Sequence, residues 1–265
     1  CTRAHLTRPT LSSPFFSHRY LKQSVVPALE QTHGETLLNE MNRRWSNHKV
    51  LNKWFYKFFQ YLDRFYVPYQ KVPELATAGL TKFKKVVFDA TKKNLTEAIV
   101  DFINQERCAQ VVDHDLIRSC VTLYEAMGMK TLETYITDFE GRMLEATREY
   151  YQRKTADWMQ SDPTPAFLIK VEKALNDERK RVEAYLNMES LPKMMRVLEE
   201  EGLEKCQKEL LEKPGSGCRV LLANDKLEDL ARMYRLFARL KGGLEPMAAI
   251  VQEHISQLGN DEMDA

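Results

Sequence analysis

Asp113, His114 and Asp115 form the one compact cluster in this chain whose side-chain types could hold a metal. Three neighbours at a helix start would need further His or carboxylate ligands from elsewhere, and no HExxH or zinc spacing supplies them. Capping accounts for the cluster better, because Asp113 or Asp115 stands just before an apolar repeat at Leu116, Cys120, Leu123 and Met127. Glu199-Glu200-Glu201 resembles a carboxylate cluster, yet adjacent positions on a helix point to different sides and are not expected to share a substrate. Gly215-Ser216-Gly217 lacks the Lys-Ser/Thr of a phosphate loop and reads as a turn; neither GxGxxG nor GxSxG occurs. The five cysteines, Cys1, Cys108, Cys120, Cys206 and Cys218, show no CxxC spacing and fit buried thiols of a reducing compartment. These residue types build no catalytic, metal or nucleotide site, so the expectation is a non-enzyme with no cofactor.

The chemistry on offer is apolar contact. Trp54, Phe55, Tyr56, Phe58, Phe59, Tyr61, Phe65, Tyr66 and Tyr69 place nine aromatics in sixteen residues, with no Gly or Pro before Pro68. The run predicts one helix ended by that proline. At about 100° per residue the apolar side chains sweep roughly 160° of arc, against the 100° or so that a surface helix usually buries. The spare edge lies near Phe55, Phe59 and Tyr66, and the line of Trp54, Phe58, Leu62 and Phe65 is expected to face the bundle. Neighbouring helices of the same bundle, or a partner, would cover the spare edge.

The remaining elements all read as helices. Leu37, Leu38, Met41 and Trp45 form a face leading into the aromatic run, with Trp45 a core candidate. Beyond Pro73 the pattern resumes at Leu80, Phe83, Val87 and Phe88, then Leu95, Ile99, Phe102 and Ile103. A run approaching thirty residues, Thr131 to Gln160, would span about 45 Å as a helix, which implies elongation. Ser161-Asp162-Pro163 reads as a cap and an opening proline, and Asn224 or Asp225 as the cap of a later helix. Pro214 to Gly217 is the clearest break. The fold class is therefore all-α. No apolar run approaches the length of a membrane span. Residues 1–72 hold 11 Lys/Arg against 4 Asp/Glu, the rest 28 against 34, so a basic first segment could steer an acidic partner. Nucleic acid is not indicated, since no recognised binding motif accompanies the charge.

Four motifs in order resemble a cullin, most closely a plant-type SCF cullin: Arg44-Trp45-Ser46-Asn47-His48-Lys49-Val50 with Tyr61-Leu62-Asp63-Arg64-Phe65-Tyr66-Val67; Phe139-Glu140 with Thr147, Tyr150 and Tyr151; Glu178-Arg179-Lys180-Arg181-Val182-Glu183-Ala184-Tyr185-Leu186; and Asp229-Leu230-Ala231-Arg232-Met233-Tyr234-Arg235-Leu236. The resemblance runs from about Phe16 to Leu258. It implies an elongated, solenoid-like stack of five-helix cullin repeats. Residues 1–15 would be a disordered or unrelated leader, 16–72 the last helices of a first repeat, 73–213 a second repeat and 214–265 the start of a third. It implies a non-catalytic scaffold of a ubiquitin ligase, whose amino-terminal arm holds a Skp-type (BTB/POZ-fold) adaptor with an F-box substrate receptor. The RING subunit would bind only a carboxy-terminal half that this sequence does not include. Two helices that normally supply about half of the adaptor surface would also precede it. The expected adaptor contacts are Phe55, Phe59 and Tyr66, with Asp63 as a polar rim, and the expected location is cytoplasmic and nuclear. A generic helical tether is the other class of protein that would show the same helices.

Overall fold

The computed structural model describes the backbone of residues 18–70 and 75–263 and the side chains of residues 19–60, 64 and 76–257. The leader expected at residues 1–15 lies outside the described residues. Every described element is helical. We number them α1 (residues 18–30), α2 (Gly34–Gln70), α3 (residues 75–107), α4 (His114–Met127), α5 (residues 133–161), α6 (Thr164–Tyr185), α7 (residues 191–204), α8 (Gln207–Glu212), α9 (Cys218–Ala223), α10 (Leu227–Phe237) and α11 (Glu245–Met263). No helix among the described residues is long and apolar enough to cross a membrane. The chain divides into two compact units, one ending at Gly141 and the other beginning at Arg142.

Four helices contain one widened turn each, at Leu21–Val25, Lys84–Phe88, Ile136–Glu140 and Glu200–Glu204. In each the closing bond skips five residues: Val26 N–H donates to the Leu21 carbonyl, Asp89 to Lys84, Gly141 to Ile136 and Lys205 to Glu200. In α1 the cause is local. Pro27 has no N–H and its ring would collide with the carbonyl four residues back, so the turn before it opens instead.

The first unit packs α2 against α1, α3 and α4 over Leu29, Leu37, Leu38, Met41, Phe83, Val87, Ile99 and Ile117, all essentially without solvent contact. Its buried polar groups are used as joints. The Tyr124 hydroxyl lies 2.7 Å from Thr96 Oγ1 and donates to the Lys92 carbonyl at 3.0 Å, while Thr96 donates to the Asp138 carbonyl at 2.9 Å. Burial pushes the Tyr124 phenol well above its usual range. Lys84 Nζ donates to the Met127 carbonyl and to Thr134 Oγ1, both at 3.0 Å, closing the carboxy end of α4 with a positive charge. Of the two candidate caps, Asp113 caps α4, accepting from the N–H groups of Asp115 (2.9 Å) and Leu116 (3.1 Å). Gly128 follows α4 because a Cβ there would lie 1.9 Å from the Thr131 carbonyl oxygen.

In the second unit Glu178 of α6 is fully buried, yet it accepts from the Tyr151 hydroxyl and from Arg181, each at 2.8 Å. A buried carboxylate is tolerated when it is paired and hydrogen-bonded in this way. Lys213 closes the end of α5 by donating to the carbonyls of Met159 and, at 2.8 Å, Asp162. Two capping expectations fail here. Asp162 pairs with Lys170 at 2.5 Å and the residue flanking α6 is Pro163, while Asp225 adopts a left-handed φ of 51° and leaves Lys226 to flank α10. In both cases the aspartate stands one residue too early to reach the first free N–H groups.

Candidate functional site

Sequence and structure together single out α2, a 37-residue helix of about 55 Å. Its first half is anchored. Leu37, Leu38 and Met41 are buried, Trp45 is 3% exposed, and the Trp45 ring sits 5.4 Å from Phe83 of α3. The core assignment of Trp45 stands. His48 continues the same face, its ring 4.6 Å from Phe83 and 6.0 Å from Trp45, with a hydrogen bond to the Gly79 backbone. Burial dominates and lowers its pKa to about 4, so the imidazole is neutral at physiological pH. On the outer side Glu40 accepts from both Arg43 and Arg44; these bonds, Arg43's the stronger, hold its carboxyl down to about 2. Arg44 also donates to the Tyr20 hydroxyl at 3.0 Å, tying α1 to α2.

From Lys49 to Gln60 the helix loses its cover. Val50, Leu51, Trp54, Tyr56 and Phe58 are all exposed, Trp54 by 52% and Phe58 by 74%. Phe55 and Phe59 are half-buried and stack at 6.1 Å; Trp54 and Phe58 stack at 5.9 Å, with Lys57 Nζ 5.2 Å from the Trp54 ring centre. The expectation that Trp54 and Phe58 face the bundle is overturned. Phe83 and Gly79 of α3 engage α2 at Trp45 and His48, and the aromatics that follow support one another along the helix. The expected adaptor contacts Phe55 and Phe59 therefore lie on a solvent-reaching arm. The side chains of Asp63 and Tyr66, and of Leu62 and Phe65, lie outside the described residues.

The other candidates disperse. His114 Nε2 meets Glu106 at 3.3 Å and Asp115 meets Arg118 at 3.6 Å. Among the described residues no three His, Cys, Asp or Glu are grouped to hold a metal ion. Glu199 pairs with Arg239 at 2.7 Å, but Glu200 and Glu201 both reach Arg148, at 2.9 and 3.0 Å. Adjacent carboxylates on this helix thus do share one cation, because a guanidinium on a long stem bridges the angle between them. Cys120 and Cys218 are buried and Cys206 half-buried, with burial pushing the Cys120 thiol up to about 12 and Cys206 to about 11. Cys108 is exposed, against expectation.

Sequence reasoning missed one surface. In the second unit Tyr234 of α10, with Leu244, Met247, Val251 and Ile255 leading into and along α11, lines an apolar groove of about 530 Å³. The signal was present in the i, i+3, i+7, i+11 spacing of those four residues. Periodicity shows that a helix has an apolar face without showing that the face stays open.

Comparison with known proteins agrees with the motifs. Residues 15–265 match the family described as the cullin alpha solenoid domain. The chain is 38% identical over 241 residues to Cullin-2 of Arabidopsis thaliana and 37% identical over 240 residues to Cullin-1 of Oryza sativa subsp. japonica. It is 30% identical over 243 residues to Cullin-3 of Dictyostelium discoideum. Each match takes in 91% of this chain and 32% of the relative, so the chain spans about a third of the length of these proteins.

Proposed function

The chain belongs to the cullin family, and from that premise we propose that it serves as the amino-terminal arm of a non-catalytic scaffold in an SCF-type cullin-RING ubiquitin ligase. On this reading it holds a Skp-type adaptor and, through it, an F-box substrate receptor, in the cytoplasm and nucleus. The observation that carries the reading is the bare aromatic stretch of α2 from Lys49 to Gln60. Large aromatics cost apolar hydration when left in water, and clustered on a rigid helix they make the anchor type most often found in interface hot spots. Phe55 and Phe59, half-buried and stacked, are held in place before any partner arrives, which lowers the ordering cost of binding. Asp63 and Tyr66 complete the proposed contact set.

We assign residues 16–72 to the end of one repeat, 73–213 to a second and 214–265 to the start of a third. The turn after α8 supports the later boundary: Gly215 takes a left-handed φ of 77° and a Cβ on Gly217 would collide with the Leu211 carbonyl oxygen at 2.5 Å.

The test is a titration of the chain, extended by the two amino-terminal helices that the resemblance places before it, against panels of Skp-type and other BTB-fold adaptors. Selective binding to the Skp type, weakened by Phe59→Ala, is the expected result. Binding to neither class would leave a helical tether and remove the ligase reading.

A further inference from the structure

Ile169-Lys170-Val171-Glu172, in the middle of α6, is the one place in the sequence where a large apolar residue precedes a lysine and a carboxylate follows two residues after it. That order, apolar, lysine, any residue, acid, is the one a conjugating enzyme of the small ubiquitin-like modifiers reads directly on its substrates. A four-residue pattern recurs by chance, so its placement decides whether it counts. At about 100° per residue, Phe167, Leu168, Val171 and Leu175 form the inner face of α6 and are buried, while Glu172, Ile169, Lys173 and Lys170 follow one another across the opposite face. Ile169 is 49% exposed, and the side chains of Lys170 and Glu172 are 43% and 37% exposed. The three positions that are read thus reach solvent from one turn of an intact helix, and only the unread Val171 turns inward.

We propose that Lys170 is a conjugation site for a small ubiquitin-like modifier. Lysine is the residue of choice for such chemistry, a flexible stem ending in an amine that becomes nucleophilic once its proton is lost. The Lys170 Nζ attacks the thioester carbonyl that joins the modifier's terminal glycine to a cysteine of the conjugating enzyme. An N–C bond forms, the C–S bond breaks, the cysteine leaves as thiolate, and the ammonium's proton passes to solvent or to that thiolate; nothing is oxidised or reduced. Existing contacts leave the site accessible. Lys170 donates to Asp162 at 2.5 Å, an exposed pair of the kind that contributes little, and Glu172 meets Arg232 and Arg235 of α10 only at 3.3 and 3.4 Å. Two other lysines serve as internal controls. Lys173 lies on the same face but has Leu175 two residues on, and the exposed Lys226 has Glu228 two residues on but Asp225 before it.

The test is a reaction of the full chain with ATP, the modifier and its activating and conjugating enzymes, without a ligase, read by mass spectrometry of the branched peptide. A single adduct at Lys170 is expected. Lys170→Arg should remove it, and Ile169→Ser and Glu172→Gln should each slow it about tenfold or more, while Lys173→Arg and Lys226→Arg leave it unchanged. Arginine keeps a cation opposite Asp162 and glutamine keeps an acceptor for the α10 arginines, and circular dichroism checks that the helices persist. No adduct, or adducts on other lysines with Lys170 unmarked, would overturn the proposal. So would modification of Lys170 at the wild-type rate in Glu172→Gln, because the sequence would then not be what is read. Ubiquitin supplied with its own two enzymes should show no preference for Lys170; an equal preference there would also overturn it, by tracing the selection to the reactivity of the lysine alone. No residue of the proposed adaptor contacts is involved, so adaptor binding by the Lys170→Arg chain, expected unchanged, keeps this outcome distinct from the fate of the ligase reading.

Discussion

The two halves of α2 are the same helix doing opposite things. From Leu37 to His48 its apolar residues are few and all covered; from Lys49 to Gln60 they are many and largely bare. Density of aromatics is therefore a poor guide to burial in this chain. The covered half relies on shape, with Trp45 and His48 fitted around Phe83, and the bare half relies on stacking along the helix, Trp54 on Phe58 and Phe55 on Phe59. A core needs residues that complement their neighbours, whereas a docking arm needs large rigid surfaces that keep their form without neighbours.

The sharpest way to break the comparison is at its buried end. Trp45→Ala should destabilise the first unit by about 3 to 5 kcal/mol, read as a fall in the denaturation midpoint, because it empties a site enclosed by Phe83 and His48. A loss of about 0.5 kcal/mol or less, the size expected at an ordinary surface position, would erase the distinction between the halves.

Next in size is the effect of pH on the same end. His48 has a folded pKa of about 4 against an ordinary value of 6.5, so the unfolded chain takes up a proton that the folded chain refuses. The resulting stability is complete above pH 6.5 and is lost as pH falls toward 4, amounting to about 3 kcal/mol over that window. Carboxylates titrate over part of the same range, so the readout is the difference between the wild type and His48→Gln. Chemical denaturation at pH 7.5 and 4.5 should show a steeper loss in the wild type; equal losses would mean that His48 is not held neutral.

At the bare end the expected effects are on binding. Phe59→Ala or Tyr66→Ala should lower adaptor affinity about thirtyfold, roughly 2 kcal/mol, in the amino-terminally extended chain, with the melting temperature nearly unchanged. If Phe59→Ala instead melts as early as Trp45→Ala, the bare stretch from Lys49 to Gln60 is core after all. The smallest effect sharpens the contrast most: Phe58→Ser, at a position 74% exposed, should move stability by no more than about 0.5 kcal/mol in thermal denaturation.

Much of this was legible beforehand. Helices with faces through Leu37, Phe83, Leu116 and Phe139 follow from spacing alone, and those residues are buried. A cap at Asp113 or Asp115 followed from their place before an apolar repeat, and the structure assigns it to Asp113. The side of α2 that stays open was not legible, because a 160° apolar arc says how much surface a helix must cover and not which neighbour reaches it. Capping was misread at Asp162 and Asp225 for a related reason: a cap depends on which residue leaves helical geometry first, and one residue of difference is invisible in composition. The α10–α11 groove escaped notice because Leu244, Met247, Val251 and Ile255 form a pattern that a closed core would show equally well.

The widened turns of α1, α3, α5 and α7 have a consequence for how this chain is compared with its relatives. Each holds one residue more than a regular helix of the same rise would, and a widened turn can take up a single extra residue within a helix, so each marks a place where lineages can differ by one inserted or deleted residue. Alignments across the family should then show isolated one-residue gaps inside helices, at positions 21–25, 84–88, 136–140 and 200–204, where gaps would ordinarily be dismissed as errors.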